Sequence, residues 1–419
     1  MIQEIHPSIL KGEILIPPSK SDSQRAIICA GLADGKSIIK NCGESEDELK
    51  MLNTITDLGA RIQHIDSNSI EICGINKFPL NKTIHVGESG LGLRLLTNIC
   101  AAHDGQFMLE GSGTLVKRPM NFFDMTFPKL QVDFSSNNGF LPFKINGPMI
   151  ATSLTVDGSQ SSQYISGLLM AFPLLSGTTY LKVENLKSIP YLEMTLKTLK
   201  VFGITIENQN FGEFIIAGNQ HYLPADYSIE SDWSSASYWI VAAALGTDIL
   251  IKGLSMDSLQ ADTKILDALA TANCTLINFE NGFKVEGENR KPFHFDATHC
   301  PDLFPALTVF AALTPGISII EGVHRLSTKE SDRGQALQQE FHKLGIKIEF
   351  LEDKMMIHGQ ATISGGSVES HHDHRIAMCL GIAGIFADSH VIIENAEVVS
   401  KSYPNFWDDL SDLISPTTV

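Results

Sequence analysis

The 419-residue sequence has no surplus of basic residues: 31 Lys and Arg stand against 48 Asp and Glu, a formal net charge of −17. Nucleic acid and anionic membrane both call for a basic face, so neither is expected as a partner. Cysteine follows no pattern. Cys29, Cys42, Cys73, Cys100, Cys274, Cys300 and Cys379 are scattered, without a CxxC pair or zinc spacing. Such a set reads as reduced thiols, not a disulfide framework. Long apolar runs are missing too. Trp239 to Leu245 and Met378 to Phe386 fall far short of the roughly 20 residues of a spanning helix. Met1-Ile2-Gln3-Glu4-Ile5 has neither a basic n-region nor an apolar h-region, so no secretory signal is expected. These absences leave a soluble cytoplasmic protein as the expectation. With 43% hydrophobic and 19% charged residues, the chain is globular and long enough for two domains with good cores.

One pattern recurs: a segment of helical period, then two short strands, then glycine. The closing glycines are Gly74, Gly147, Gly218, Gly287 and Gly359, at spacings of 73, 71, 69 and 72. In three copies the helix ends at Leu58-Gly59, Phe202-Gly203 or Leu344-Gly345, the usual left-handed cap. The third copy predicts a strand at Ile204-Thr205-Ile206, a turn over Glu207 to Gly212 and a strand over Glu213 to Ala217. Another strand and helix lie between copies, so the unit is β-α-β-α-β-β, of a length at which repeats define the fold. Six units would fill the chain, but the last helix, Asn405 to Leu413, has no hairpin after it. The simplest closure is that the N-terminal strands, at Glu4-Ile5 and Glu13 to Ile16, complete the sixth unit. The fold class is then α/β, with two similar domains of three units each. One domain takes residues 1–18 and 230–419, the other 19–229. The chain crosses between them near 17–19 and 226–232.

Chemistry gathers where strands turn into helices. Pro17-Pro18-Ser19-Lys20-Ser21-Asp22-Ser23-Gln24-Arg25 breaks a short apolar run and starts a helix. Helix N-termini present free N–H groups and partial positive charge to an anion. Val86-Gly87-Glu88-Ser89-Gly90-Leu91-Gly92-Leu93-Arg94 is a Gly-rich loop before a helix, but neither a P-loop nor a Rossmann fingerprint. Gly111 to Pro119 ends in Lys117-Arg118, either a solvated loop or a clamp that closes on an anion. Ser159 to Tyr164 carries Ser161, Ser162 and Gln163, and Ser188 precedes Pro190 and Tyr191; each is a helix cap or a polar ligand contact. Ser327 to Arg333 holds Lys329, Glu330 and Arg333. His371-His372-Asp373-His374-Arg375 suggests metal at first, but its histidines are contiguous rather than at i, i+4. An Arg/His anion contact ranks above a metal there, and no metal is expected. Lys401 precedes the final helix. The cations Lys20, Arg25, Arg94, Arg118, Lys329, Arg333, Arg375 and Lys401 make a local positive focus in an acidic chain, suited to a small polyanion in an interdomain cleft. Asp302 and Glu330 are the acids expected within it.

Five motifs in order, Pro-x-Ser-Lys-Ser-x-Ser-x-Arg-Ala, Gly-Ser-x-Ser-Ser-Gln-Tyr, Lys-Glu-Ser-Asp-Arg, Asp-His-Arg-x-Ala-Met and Lys-Ser-Tyr-Pro-x-Phe, resemble the EPSP synthase family of enolpyruvyl transferases over the whole chain. The resemblance implies two domains of three units (the inside-out α/β barrel type), an interdomain active site, no cofactor and a monomer. The implied reaction moves the enolpyruvyl group of phosphoenolpyruvate (PEP) to the 5-hydroxyl of shikimate 3-phosphate through a tetrahedral intermediate, releasing phosphate. It implies shikimate 3-phosphate binding by Lys20, Ser21, Arg25, Ser161, Ser162, Gln163, Ser188, Tyr191, Asp302 and Lys329. PEP binding falls to Lys20, Gly90, Arg94, Arg118, Gln163, Arg333, Arg375 and Lys401. Lys20, Asp302 and Glu330 are the implied acids and bases, with cations favouring ionised Asp302.

Two departures stand out. Glu88 replaces the amide of the family's Gly-rich motif, beside Leu91 and Leu95 in place of Thr and Pro; a neighbouring cation is expected to hold it. Ser327 stands where many relatives carry Arg, and Arg325 is the nearest replacement. Two rivals are the sister transferase acting on UDP-N-acetylglucosamine and a catalytically dead anion sensor. The sister often carries a loop Cys, which Gly111 to Pro119 lacks. Intact Lys20, Asp302, Glu330 and Lys401 argue against the sensor.

Overall fold

A computed structural model describes residues 1–414. The chain divides into two compact units, Met1–Pro17 with Ser231–Val419, and Pro18–Glu230. Each is built of three small sheets wrapped on buried helices.

The repeat is visible sheet by sheet. Five sheets have four strands and one has three. In the third sheet Ser153–Asp157 pairs parallel with Thr179–Glu184, which pairs antiparallel with Glu213–Ile216, which closes on Glu207–Gln209. A buried inner helix, Ser162–Ala171, makes the parallel crossover, and an outer helix, Ile189–Val201, leads to the hairpin. The other inner helices are Lys20–Leu32, Gly90–Ala101, Trp233–Ala244, Phe304–Ala312 and His374–Ile385. Four of them, from Gly90, Trp233, Phe304 and His374, are buried at every position. Their sequences are mostly apolar or small, as a helix enclosed on all sides requires, with Arg94, Asn98, His374 and Arg375 as the charged or large polar exceptions. Each buried Leu, Ile or Phe contributes about 1.5–3 kcal/mol.

The five closing glycines have one cause. A Cβ at Gly74, Gly147, Gly218, Gly287 or Gly359 would lie 1.9–2.3 Å from a backbone carbonyl just past the inner helix of its unit. The caps are equally uniform. Gly59, Gly203 and Gly345 take positive φ, and Gln131 and Asn273 take the same left-handed turn in the other two copies. The next residue then donates back across the turn, as Ala60 N–H does to Ile55 O at 3.0 Å and Ile204 N–H to Leu199 O at 2.9 Å.

That cap moves one expected strand. Ile204 and Thr205 spend their N–H groups on Leu199 O and the Gln220 side chain, so the hairpin starts at Glu207, not Ile204. Asn210 and Phe211 turn it with positive φ.

The N-terminal strands also differ from expectation. Ile2–Ile5 does complete the sixth sheet, antiparallel to Val391–Glu394. Lys11–Leu15 does not join it. It pairs parallel with Asp248–Lys252 and opens the fourth sheet. Asp226–Ser228 plays the matching part in the first sheet, parallel to Lys36–Lys40. Each crossing strand thus supplies the parallel edge that its own unit lacks, and the two strands leading into Lys20 and Trp233 are exchanged. Strand alternation carries no signal for which sheet an edge will join.

Gly218→Ala should lower the urea midpoint by the equivalent of about 1–3 kcal/mol, because the carbonyls of Leu175 and Gly177 lie 2.1 and 2.2 Å from the new Cβ. An unchanged midpoint would show that the close approach relaxes freely.

Candidate active site

In the Pro18–Glu230 unit three inner helices start side by side. Ser89 caps the Gly90 helix, and its hydroxyl donates to Gln24 Oε1 on the first inner helix at 3.0 Å. Arg94 Nη1 donates to Gln163 Oε1 on the third at 2.8 Å and to Gly90 O at 3.1 Å. The Arg94 guanidinium stacks 5.0 Å from the Tyr164 ring centre. A Cβ at Gly90 would lie 2.9 Å from Arg94 Nη1 and 3.0 Å from Arg118 Nη1. Two guanidinium groups therefore meet over a glycine at a helix N-terminus, a place made for an anion. Lys20 is the first residue of its helix, with Nζ 3.0 Å from Asp47 Oδ2. Ser161 caps the third inner helix by accepting from Gln163 N–H at 3.3 Å, and Ser162 is buried beside it.

Arg25 is placed differently from the other cations. It is buried to 1%. It donates to Thr195 Oγ1 at 2.8 Å, Ser21 O at 2.6 Å and Tyr191 O at 3.4 Å. It fastens the first inner helix to Ile189–Val201. Ser188, at the start of that helix, holds φ 56° and ψ 46°, which is uncommon for a residue with a side chain.

The other unit gathers opposite charges. Asp302 Oδ1 accepts from Lys329 Nζ at 3.1 Å and Arg333 Nη1 at 2.8 Å; Oδ2 lies 3.2 Å from Arg375 Nη2. Arg333 has no exposed side-chain surface. It also donates to Glu330 Oε2 at 2.8 Å and, with Nε and Nη2, to the two Asp373 oxygens at 2.9 and 3.3 Å. Arg333 is thus committed to three carboxylates of the protein. Lys401 Nζ donates to His372 O at 3.1 Å.

The histidine run comes apart in space. His371 Nε2 pairs with Glu340 Oε1 at 2.7 Å, His372 offers its carbonyl to Lys401, and His374 is buried. Asp373 caps the sixth inner helix by accepting from Arg375 N–H at 2.9 Å and binds Arg333. Among the described residues no cluster of three or more His, Cys, Asp or Glu side chains is arranged to hold a metal ion.

Two carboxyls here are driven in opposite directions. Burial raises Asp302, but Arg375, Lys329 and Arg333 outweigh it and hold the group well below the usual carboxylate range. Burial pushes Asp262 up to about 7, helped by the charges of Asp302 and Asp232, against Arg375 and the Ser234 hydroxyl bond. Ser234 Oγ donates to Asp262 Oδ2, while Oδ1 has no hydrogen-bond partner among the described residues. Burial lowers Lys329, and Asp302 opposes that shift.

Several of these residues stood outside the sequence reading. Asp47 and Asp262 lie far in sequence from the cations they serve. Asp22 accepts from Tyr227 Oη at 2.6 Å and Glu230 N–H at 3.1 Å, which ties the returning strand to the first inner helix. A lone buried Asp has no signature in sequence. Asp373, directly before an apolar helix, could have been read as a cap. Glu88 is held by Thr114, whose N–H and hydroxyl lie 3.2 and 3.3 Å from Oε2. Arg325 is buried in a single 3-10 turn, Val323–Arg325.

The chain belongs to the EPSP synthase (3-phosphoshikimate 1-carboxyvinyltransferase) family, whose profile matches residues 5–410. Similar curated relatives are the 3-phosphoshikimate 1-carboxyvinyltransferases of Clostridium perfringens, 40% identical over 413 residues with 98% of this chain and 97% of that one covered, and of Clostridium beijerinckii, 38% identical over 422 residues with 98% and 97% covered. Among solved structures, EPSP synthase from Acinetobacter baumannii matches with a TM-score of 0.81 and 26% identity, covering 99% of this chain and 98% of that one. The fold is therefore that of the EPSP synthases. No helix of the described residues is long and apolar enough to cross a membrane.

Asp262 gives a pH test with a definite sign. Its pKa is higher folded than unfolded, so its contribution to stability is full below about pH 4 and is lost as pH rises through about 7. Asp262→Asn carries no such dependence. From pH 5 to 8 the melting temperature of the variant should gain on the wild type by several degrees; a constant gap would contradict the assignment.

Proposed function

We propose that this chain is a 3-phosphoshikimate 1-carboxyvinyltransferase. It transfers the enolpyruvyl group of PEP to the 5-hydroxyl of shikimate 3-phosphate and releases phosphate. The observation that carries the reading is the distribution of charge: two guanidinium groups that meet over Gly90 in one unit, and in the other an ionised acid, Asp302, gripped by three cations.

Two anions must be brought together against their own repulsion, which paired guanidinium groups and helix N-termini offset. Arg94, Arg118 and Gly90 suit the phosphate-bearing co-substrate PEP, with Lys20 and Gln163 alongside. Ser161, Ser162, Ser188 and Tyr191 suit the phosphate and ring of shikimate 3-phosphate, with Ser21 nearby. Arg25 and Arg333 already satisfy protein acceptors, so their proposed part is to hold Ser21, Tyr191, Asp302 and Glu330 in place. Arg375, Lys401 and Lys329 complete the positive environment.

The chemistry requires a proton on the PEP methylene while the 5-hydroxyl oxygen attacks the adjacent carbon. Asp302 is the proposed base at the hydroxyl, and its ionised state equips it to accept a proton. Glu330, held by one Arg333 bond and partly exposed, is the proposed group that exchanges a proton at the methylene. Lys20 is a further acid or base. Departure of phosphate from the tetrahedral intermediate, with a proton taken back from its methyl group by Glu330, re-forms the double bond and leaves the enolpyruvyl ether. All these groups come from one chain, and the seven cysteines are unpaired, which fits a monomer in a reducing cytoplasm. The absence of a loop cysteine in Gly111 to Pro119 favours shikimate 3-phosphate over the UDP-sugar.

Phosphate release from PEP should require shikimate 3-phosphate and should not occur with UDP-N-acetylglucosamine. Glu330→Gln should lower kcat by about 10²–10⁴-fold, the usual worth of a positioned acid or base, with an unchanged circular dichroism spectrum. Turnover with the UDP-sugar, or binding of both substrates without turnover, would overturn the reading.

A further inference from the structure

Glu88 puts a carboxylate among the groups that would receive an anionic substrate, where a negative charge is unfavourable unless it does something else. Its surroundings assign it a task. The segment Val86–Ser89 turns into the Gly90 helix, and Gly113–Lys117, a single 3-10 helix, runs beside it. Ser112 N–H donates to Gly87 O at 2.8 Å, and Val86 N–H donates to Glu110 O at 2.9 Å. Gly113 sits at φ +54°, and a Cβ there would meet Glu88 Oε1 at 2.0 Å. The carboxylate is packed onto a backbone that has no room for a side chain.

The hydrogen bonds run in one direction only. Glu88 Oε2 lies 3.3 Å from Thr114 Oγ1, and Arg118 Nη2 lies 3.0 Å from the same hydroxyl. A carboxylate only accepts and a guanidinium only donates. The Thr114 hydroxyl must therefore give its single proton to Glu88 and turn its lone pairs to Arg118. Thr114 N–H reinforces the first link at 3.2 Å. Arg118 in turn carries Nη1 to the space above Gly90, where Arg94 also arrives.

We propose that Glu88 is a positioning residue: by locking the Thr114 hydroxyl it aims Arg118 at the phosphate-bearing co-substrate, and so sets affinity for PEP without taking part in the chemistry. The carboxylate that the family motif does not predict is thus an orienting acceptor for a cation. The inference rests on the reading of Arg118 as a PEP-binding group.

Steady-state kinetics on the full chain separate the possibilities. Glu88→Ala and Thr114→Val should each raise the KM for PEP about tenfold, the scale of one charge-assisted hydrogen bond. The kcat and the KM for shikimate 3-phosphate should stay within about threefold, since the binding lost is that of one substrate and is lost equally in the ground and transition states. Thr114→Ser keeps the hydroxyl and should restore the wild-type KM. The double variant should be no worse than either single one, because both break the same relay. Should Glu88→Ala fail to fold, the Thr114→Val and Thr114→Ser pair makes the same test. Equal KM values for PEP in wild type and Thr114→Val would overturn the inference, as would losses that multiply in the double variant or a fall confined to kcat. A wild-type chain that releases no phosphate would instead sink the reading of the site.

Discussion

Arg333 is a cation without water. Its side chain has no exposed surface, and Asp302, Glu330 and Asp373 supply the negative charge that offsets its loss of hydration. Removing Arg333 would leave the fully buried Asp373 without the cation it binds, at a cost of about 3–5 kcal/mol. The three carboxylates come from the start of the fifth inner helix, the approach to the outer helix Arg333–Lys343, and the cap of the sixth inner helix. One guanidinium thus sets the mutual position of the two acids on which the proposed chemistry depends.

This hub can exist because the repeat brings helix starts together. Each inner helix follows a strand, so its N-terminus lies near that strand's C-terminal end. Three such units packed on one another make three N-termini neighbours, and side chains there meet although they lie 65 residues apart, as Ser89 and Gln24 do, or 69, as Arg94 and Gln163 do. The closing glycines permit the packing, since each hairpin end touches the carbonyl past an inner helix. The polarity of the two units then differs by what the sequence puts at the helix starts. Arg94 and Arg118 meet over Gly90 in one, while Asp302 sits among Lys329, Arg333 and Arg375 in the other.

Much of this was legible in the sequence. The glycine spacing predicted the hairpins, and the Ser, Lys and Arg at strand-to-helix turns marked where chemistry collects. What was hidden is non-local. The parallel edge strand Lys11–Leu15 reads the same whichever sheet it joins, and only pairing with Asp248–Lys252 decides it. The partners Asp47 and Asp262 are single acids without a pattern, and nothing in the motifs that hold Asp22 and Asp373 says that they bind Tyr227 and Arg333. Arg25 and Arg333 look like substrate cations in sequence, yet each is spent on protein acceptors. Glu88 reads in sequence as a departure from the family motif, and its contact with Thr114, 26 residues away, exists only in three dimensions.

The central claim is that three cations keep Asp302 ionised inside a site where burial alone would protonate it. Carbon-13 NMR of labelled aspartate carboxyls, with the Asp302 signal assigned from Asp302→Asn, tests it directly. The account predicts a signal that stays at the ionised shift from pH 8 down to about 4, the ordinary range for a free aspartate, and that begins to titrate above that range in Arg375→Ala. A wild-type Asp302 that takes up its proton above pH 4 would contradict it.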